Sequence, residues 1–249
     1  MSLPFAKRPD TSQALRTLPR PGAAQREASA RRIRAAAALL AACLAGCASG
    51  PPAPDWQANT KSAMDAAVAA YLAGNSRAEA QELARARSEV GRTGRADLAA
   101  RVELMRCAAH VASLEFQPCA GFEPLRADSG PAERVYADYL AGRLPTGAER
   151  EQLPPAQRAV AAGGASLATV QAIEDPLSRL IAIAVQFQVG QARPELMALA
   201  VDTASAQGWR RPLLAWLKVQ QQRATRAGDA TAAAQLQRRI DLVEASTRP

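Results

Sequence analysis

Pro176-Leu177-Ser178-Arg179-Leu180-Ile181-Ala182-Ile183-Ala184-Val185-Gln186-Phe187-Gln188-Val189 is the stretch that decides the fold. Leu177, Leu180, Ile181, Ala184, Val185 and Val189 recur at the three- and four-residue steps of one helical face. Ile183 and Phe187 add a second face, so a helix over 176–189 is apolar on two sides and belongs at the centre of a core. Proline suits its first turn, where the missing N–H would have no helical partner anyway.

Downstream, the same period continues over 194–207 (Leu196, Leu199, Ala200 and Thr203 inward) and 212–226 (Leu213, Trp216, Leu217, Gln220). Gly228-Asp229 then turns the chain into 230–245, where Ala233, Leu236, Ile240 and Val243 repeat. Upstream, Met64, Val68, Tyr71 and Leu72 share a face, and Gly74-Asn75-Ser76 ends that helix. Ser76 followed by Glu79 has the spacing of a capping box, and Ala80, Leu83, Ala84 and Val90 are expected to line the second helix. A third helix over 95–114 carries Leu98, Val102, Met105 and Ala109 inward, with Leu104, Cys107 and Val111 on another buried side. Prolines and glycine break regular helix over 116–124, a helix follows over 131–140, and Leu144-Pro145-Thr146-Gly147 and Leu153-Pro154-Pro155 punctuate two short ones. No stretch alternates with period two for long enough to be a strand, so the expected class is all-α.

The N-terminal segment has a different character. Arg31-Arg32-Ile33-Arg34 precedes an apolar run over 35–45, which is about half the roughly 20 residues needed to span a bilayer. A basic region, a short apolar core and small residues make a secretory signal. Leu44-Ala45-Gly46-Cys47 resembles the lipobox of bacterial lipoproteins at all four positions. That resemblance implies cleavage before Cys47, acylation of its thiol and amine, and membrane attachment through the lipid. Ala48 after the lipid cysteine, rather than aspartate, implies sorting to the outer membrane, facing the periplasm. The region before the signal is long and holds Pro4, Pro9, Pro19 and Pro21, so either the leader is extended or translation starts downstream of Met1. Arg31-Arg32 also invites a twin-arginine export route, but Ile33 alone supplies the apolar character expected after the pair, and ordinary secretion is preferred. The expected organisation is a leader over 1–46, a proline-rich lipidated tether over 47–55, an N-terminal helical region over 56–162, and C-terminal hairpins over 163–249. Gly163-Gly164 is a candidate boundary between two subdomains. Extended at about 3 Å per residue, the tether would hold the folded part some 20 Å from the lipid.

Charge follows the same division. The chain has a formal net charge of +8, but residues 1–46 hold eight basic and two acidic residues. The remainder holds 23 basic against 21 acidic residues, which argues against a nucleic-acid partner. With Cys43 in the leader and Cys47 lipidated, Cys107 and Cys119 remain; in an oxidising compartment they make a disulfide, and otherwise two buried thiols.

Ala70-Tyr71-Leu72-Ala73-Gly74 is echoed by Asp138-Tyr139-Leu140-Ala141-Gly142, and helix pairs recur over 56–91 and 212–245. Trp216, Gly228-Asp229 and Ala233 resemble the aromatic, turn and small packing residue of tetratricopeptide repeats. The implied architecture is an irregular, tetratricopeptide-like solenoid of antiparallel helix hairpins; the alternative is a compact, non-repeating helical domain.

No residue pattern points to catalysis. His110 lies one turn from Cys107, but a zinc site or a Cys–His nucleophile would lack a fourth ligand or a free thiolate, so a structural histidine is expected and no metal. Ser166 fits a helix N-cap better than a nucleophile elbow, which needs a preceding strand. Glu174-Asp175 before Pro176 reads as a helix restart rather than an acid–base pair. Trp209-Arg210-Arg211 could grip an acidic partner or glycan, or be a solvated helix start. The expected function is a protein-binding scaffold in cell-envelope assembly, with an envelope protein as partner and no cofactor beyond the lipid on Cys47. The alternative is a small-ligand or envelope-modifying protein with a pocket between the two halves, near Gly163-Gly164.

Overall fold

The computed structural model describes residues 54–246. The leader, the lipobox residues Leu44, Ala45 and Gly46, the lipidation site Cys47 and the tether up to residue 53 lie outside the described residues. The chain divides into a unit over Met1–Pro52 and a unit over Ala53–Pro249, and the second holds every described residue.

That unit is all-α, with ten α-helices among the described residues: α1 Asp55–Leu72, α2 Ser76–Gly91, α3 Ala96–Ala112, α4 Pro131–Leu140, α5 Pro155–Ala161, α6 Leu167–Gln171, α7 Pro176–Gln188, α8 Pro194–Ala206, α9 Arg210–Arg226 and α10 Ala230–Ala245. Short 3₁₀ turns at Glu123–Leu125 and Gly147–Gln152 interrupt the middle, where the sequence places its prolines. Short connections make α1–α2 and α9–α10 antiparallel hairpins. No described helix is long and apolar enough to cross a membrane.

α7 is the buried centre. Leu180, Ile181, Ala182, Ile183, Ala184 and Val185 are all inaccessible, as its two apolar faces require. They share one core with Leu104 and Val111 of α3, Leu196 and Ala200 of α8, and Trp216 and Leu217 of α9. Trp216 is fully buried, donates from Nε1 to the Ala112 carbonyl at 3.1 Å and meets Phe187 edge-on at 5.5 Å. It thereby fastens the C-terminal hairpin to the end of α3. A linear repeat stack brings each hairpin against its neighbours alone, whereas here α9 also packs on α1, so the array closes on itself.

Local details depart from the sequence expectations in three places. Asn75 caps α2, its Oδ1 accepting the Ala78 N–H at 3.1 Å, and Ser76 is the first helical residue. The inward face of α2 is Glu79, Leu83, Ala86 and Val90, with Ala80 and Ala84 exposed. In α3, Val102 and Ala109 point inward as expected, but Met105 is 46% exposed. Met105 thus stands on a partly accessible side of the helix, one turn from exposed Arg101.

Cys107 of α3 and Cys119 of the following loop form a disulfide, with their Cα atoms 5.8 Å apart. The same loop brings Gly121 against the buried carboxylate of Glu103, which Arg87 of α2 grips with two hydrogen bonds of 2.6 and 2.7 Å. A side chain at 121 would collide with that carboxylate. Deeper in the core, the Tyr139 hydroxyl donates to Gln157 Oε1 at 3.0 Å and Gln157 Nε2 donates to the Ser178 carbonyl at 3.0 Å. This relay ties α4, α5 and α7 together without leaving its polar atoms unpaired.

Gln186 of α7 is the opposite case: it is buried, and its amide has no hydrogen-bond partner among the described residues. An unpaired buried amide costs about 1–3 kcal/mol. Gln186→Leu should raise the free energy of unfolding by about 1–2 kcal/mol in a urea titration. Trp216→Ala should lower it by about 3–5 kcal/mol through the cavity it leaves. A loss of stability in the first variant, or none in the second, would contradict the packing described.

Candidate functional site

A cleft of about 820 Å³ opens where α1, α3, α4 and α7 converge, with Gln207 and Trp209 at the entry to α9 closing one end. Its floor is apolar and inaccessible: Leu72, Leu104, Leu153 and Ile181. Half-buried Val68, Tyr136, Leu177 and Trp209 form the walls, and exposed Met105 stands at the edge. The exposed polar groups, including Asp65, Arg101, Gln152, Asp175 and Gln207, surround the mouth rather than the floor. Gly163 and Gly164 do not line it.

Helix geometry explains this arrangement. Asp175 caps α7, with Oδ2 accepting the Ser178 N–H at 2.7 Å, and so lies beside Leu177 and Ser178 at the start of that helix. Glu133 in the first turn of α4 pairs with Arg101 of α3 at 2.7 Å, and Tyr136 follows one turn later. Tyr136 stacks on Tyr139 with 6.3 Å between ring centroids, which fixes its ring against the wall.

On another side of α1 and α3, a charged network surrounds the single histidine. His110 Nε2 lies 3.0 Å from Glu79 Oε1, and Nδ1 lies 2.8 Å from Glu115 Oε2. Leu114, with φ of 63°, turns the chain sharply after α3, and the Glu115 N–H bonds back to the His110 carbonyl at 3.0 Å. The imidazole stacks on Tyr71 with centroids 4.0 Å apart. Arg106 reaches Glu79 at 3.3 Å, and Arg211 reaches Glu115 at 3.4 Å. Arg211 also lies over the Tyr71 ring at 4.3 Å and donates to the Tyr71 carbonyl (3.0 Å) and to Ser76 Oγ (2.7 Å). Two guanidiniums therefore offset two carboxylates around the ring, as burial of charge demands.

These contacts place the residues singled out in the sequence. Both nitrogens of His110 face carboxylates and the Cys107 sulfur is bonded to Cys119, so neither is free for nucleophilic chemistry or metal ligation. Among the described residues no group of three or more His, Cys, Asp and Glu side chains is placed to hold a metal ion. Ser166 caps α6 by accepting the Thr169 N–H at 3.1 Å. Arg211 is engaged inside the protein, Arg210 packs over Gly74 (φ 83°), and Trp209 is half-buried in the cleft wall. The three residues thus join the last hairpin to the first instead of forming one exposed patch. The sequence reading did not single out Met105, Tyr136 or Leu177 as a site. No local pattern marked the cleft, since Met105 shares its helical spacing with Leu98, Val102 and Ala109 and so reads as inward.

Compared with protein-family models, curated proteins and solved structures, the chain gives no significant match.

Arg211→Met keeps the apolar stem but removes the cation, leaving Glu115 short of a partner. It should lower stability by about 2 kcal/mol in a denaturant titration, with the loss shared by both terminal hairpins. All three tyrosines of the chain, Tyr71, Tyr136 and Tyr139, are held un-ionised well above the usual phenol value, in each case chiefly by burial. An unfolded chain ionises these phenols near pH 10, whereas the folded one does not. Their contribution is complete below about pH 10, and stability falls above it by about 1.4 kcal/mol per pH unit per tyrosine. Phenolate absorbance should therefore appear only together with loss of helical circular dichroism. Phenols titrating near pH 10 in a still helical protein would contradict the burial described.

Proposed function

We propose that the protein is a lipid-anchored component of the bacterial cell envelope, facing the periplasm from the outer membrane, whose helical body binds a protein partner in its cleft. Leu44-Ala45-Gly46-Cys47 supports the anchor, and Ala48 supports the outer-membrane address. The Cys107–Cys119 disulfide agrees with an oxidising compartment. One acyl chain binds a membrane marginally and two or more hold it stably, so an acylated Cys47 would keep the body at the surface. Attachment through a short proline-containing tether would make proximity to the membrane part of the function.

The observation that carries the binding role is the cleft's layout, with an apolar floor, its exposed polar groups at the mouth and the half-buried Glu133 carboxylate already matched by Arg101. Small-molecule sites generally add a few polar groups converging on the ligand within the pocket. An apolar floor inside a polar rim is instead the layout of a protein-binding surface. The volume of about 820 Å³ does fall within the range of small-ligand sites, which favours a receptor as the second reading.

Two measurements test the proposal. The mature protein from native membranes should begin at Cys47 with a mass raised by its acyl chains, and Cys47→Ser should move it to the soluble fraction. A photo-crosslinking amino acid at Met105 should give one discrete protein adduct in intact cells, whereas the same group at exposed Leu242 should not. An unacylated mature end, or identical crosslinking at both positions, would contradict the proposal.

A further inference from the structure

The charged groups at the cleft mouth are unequal in sign. Three carboxylates, Asp65, Glu133 and Asp175, face one guanidinium, Arg101. Glu133 is matched by Arg101 at 2.7 Å, and Asp65 by Lys61 at 2.5 Å. Asp175 has no cationic partner among the described residues, since its one hydrogen bond goes to the Ser178 N–H. The helix N-terminus beneath it offsets about half a charge, less than the full charge of the carboxylate. The local sign is therefore negative, beside an apolar floor.

The fold also restricts the form of the occupant. The backbone lining the cleft belongs largely to helices, whose N–H and C=O groups are bonded within them, and the described residues include no strand. An extended peptide would find no sheet edge to join, whereas a helix needs only side-chain contacts. We infer that the cleft receives an amphipathic helix of a partner protein, its apolar face on Met105, Tyr136 and Leu177 and a lysine or arginine beside that face meeting Asp175. The inference rests on the reading of the cleft as a protein-binding surface and specifies the partner's chemistry.

The test uses the full-length chain carrying Cys47→Ser, so that neither lipid nor detergent competes. Three labelled peptides of roughly five helical turns serve as probes: a leucine–lysine amphipathic helix, its leucine–glutamate counterpart, and a leucine–lysine peptide of the same composition scrambled to remove the apolar face. Fluorescence anisotropy should show binding of the first and at least tenfold weaker binding of the other two. Asp175→Asn keeps a capping side chain and removes the charge, and should weaken the leucine–lysine peptide roughly threefold. Met105→Arg should weaken it roughly tenfold, with circular dichroism confirming that the variant is folded. Equal binding of the lysine and glutamate peptides would overturn the charge assignment, and equal binding of the scrambled peptide would overturn the helical one. Binding of dodecyltrimethylammonium without binding of any peptide would overturn the inference in favour of a small amphiphile. Failure of all the probes would also overturn it, while acylation of Cys47 and crosslinking at Met105 would still report separately on the proposed function.

Discussion

The guanidinium of Arg211 lies on the ring of Tyr71 and bonds its carbonyl, joining positions 140 residues apart. This contact matters because the helices are rich in alanine and short of large side chains. A single hairpin of such helices has too little apolar surface to bury by itself. α3 covers one side of the first hairpin, and the last hairpin meets the end of α1. Closure places Tyr71 and His110 together beneath Arg211, with the carboxylates of Glu79 and Glu115 facing the two ring nitrogens of His110 and paired with the Arg106 and Arg211 guanidiniums. Trp216 completes the same closure from the apolar side through its hydrogen bond to Ala112.

The cleft is a consequence of where that closure stops. α1, α3, α4 and α7 meet around Leu104 and Ile181, but among the described residues no further helix lies across Met105, Tyr136 and Leu177. Large side chains left accessible in a groove are held by the same packing that buries their neighbours, so the surface needs little reorganisation to bind. If Cys47 carries the proposed lipid, a tethered body would search only the volume near the membrane, which would raise the effective concentration of a membrane-associated partner.

The helices were legible in the sequence because their apolar residues recur at helical spacing, and the prolines at 131, 176 and 194 mark starts that the structure shares. Ser166 was legible as a cap, and so was the Cys107–Cys119 bridge, as the simplest pairing of the two cysteines outside the leader and lipobox. The cap of α2 was misassigned because Asn75 and Ser76 are both good capping residues and adjacent; the buried face, which includes Glu79, is set by the helices packed on it. Once Glu79 is inside, His110 and Arg106 have a reason to face it, which no local pattern shows. Arg211 read as a surface charge for the same reason, since its partners lie about 96 to 140 residues away. Met105 fits an inward face by spacing, and only the tertiary arrangement reveals that it stands accessible at the cleft edge.

Native-state hydrogen exchange tests the closure of the array most directly. If α9 and α1 depend on each other, the core amides of both helices should open with the same free energy and the same denaturant dependence, as one cooperative unit. Exchange of α1 and α2 at a markedly lower free energy, with α9 still protected, would show that the first hairpin is held independently and contradict the account.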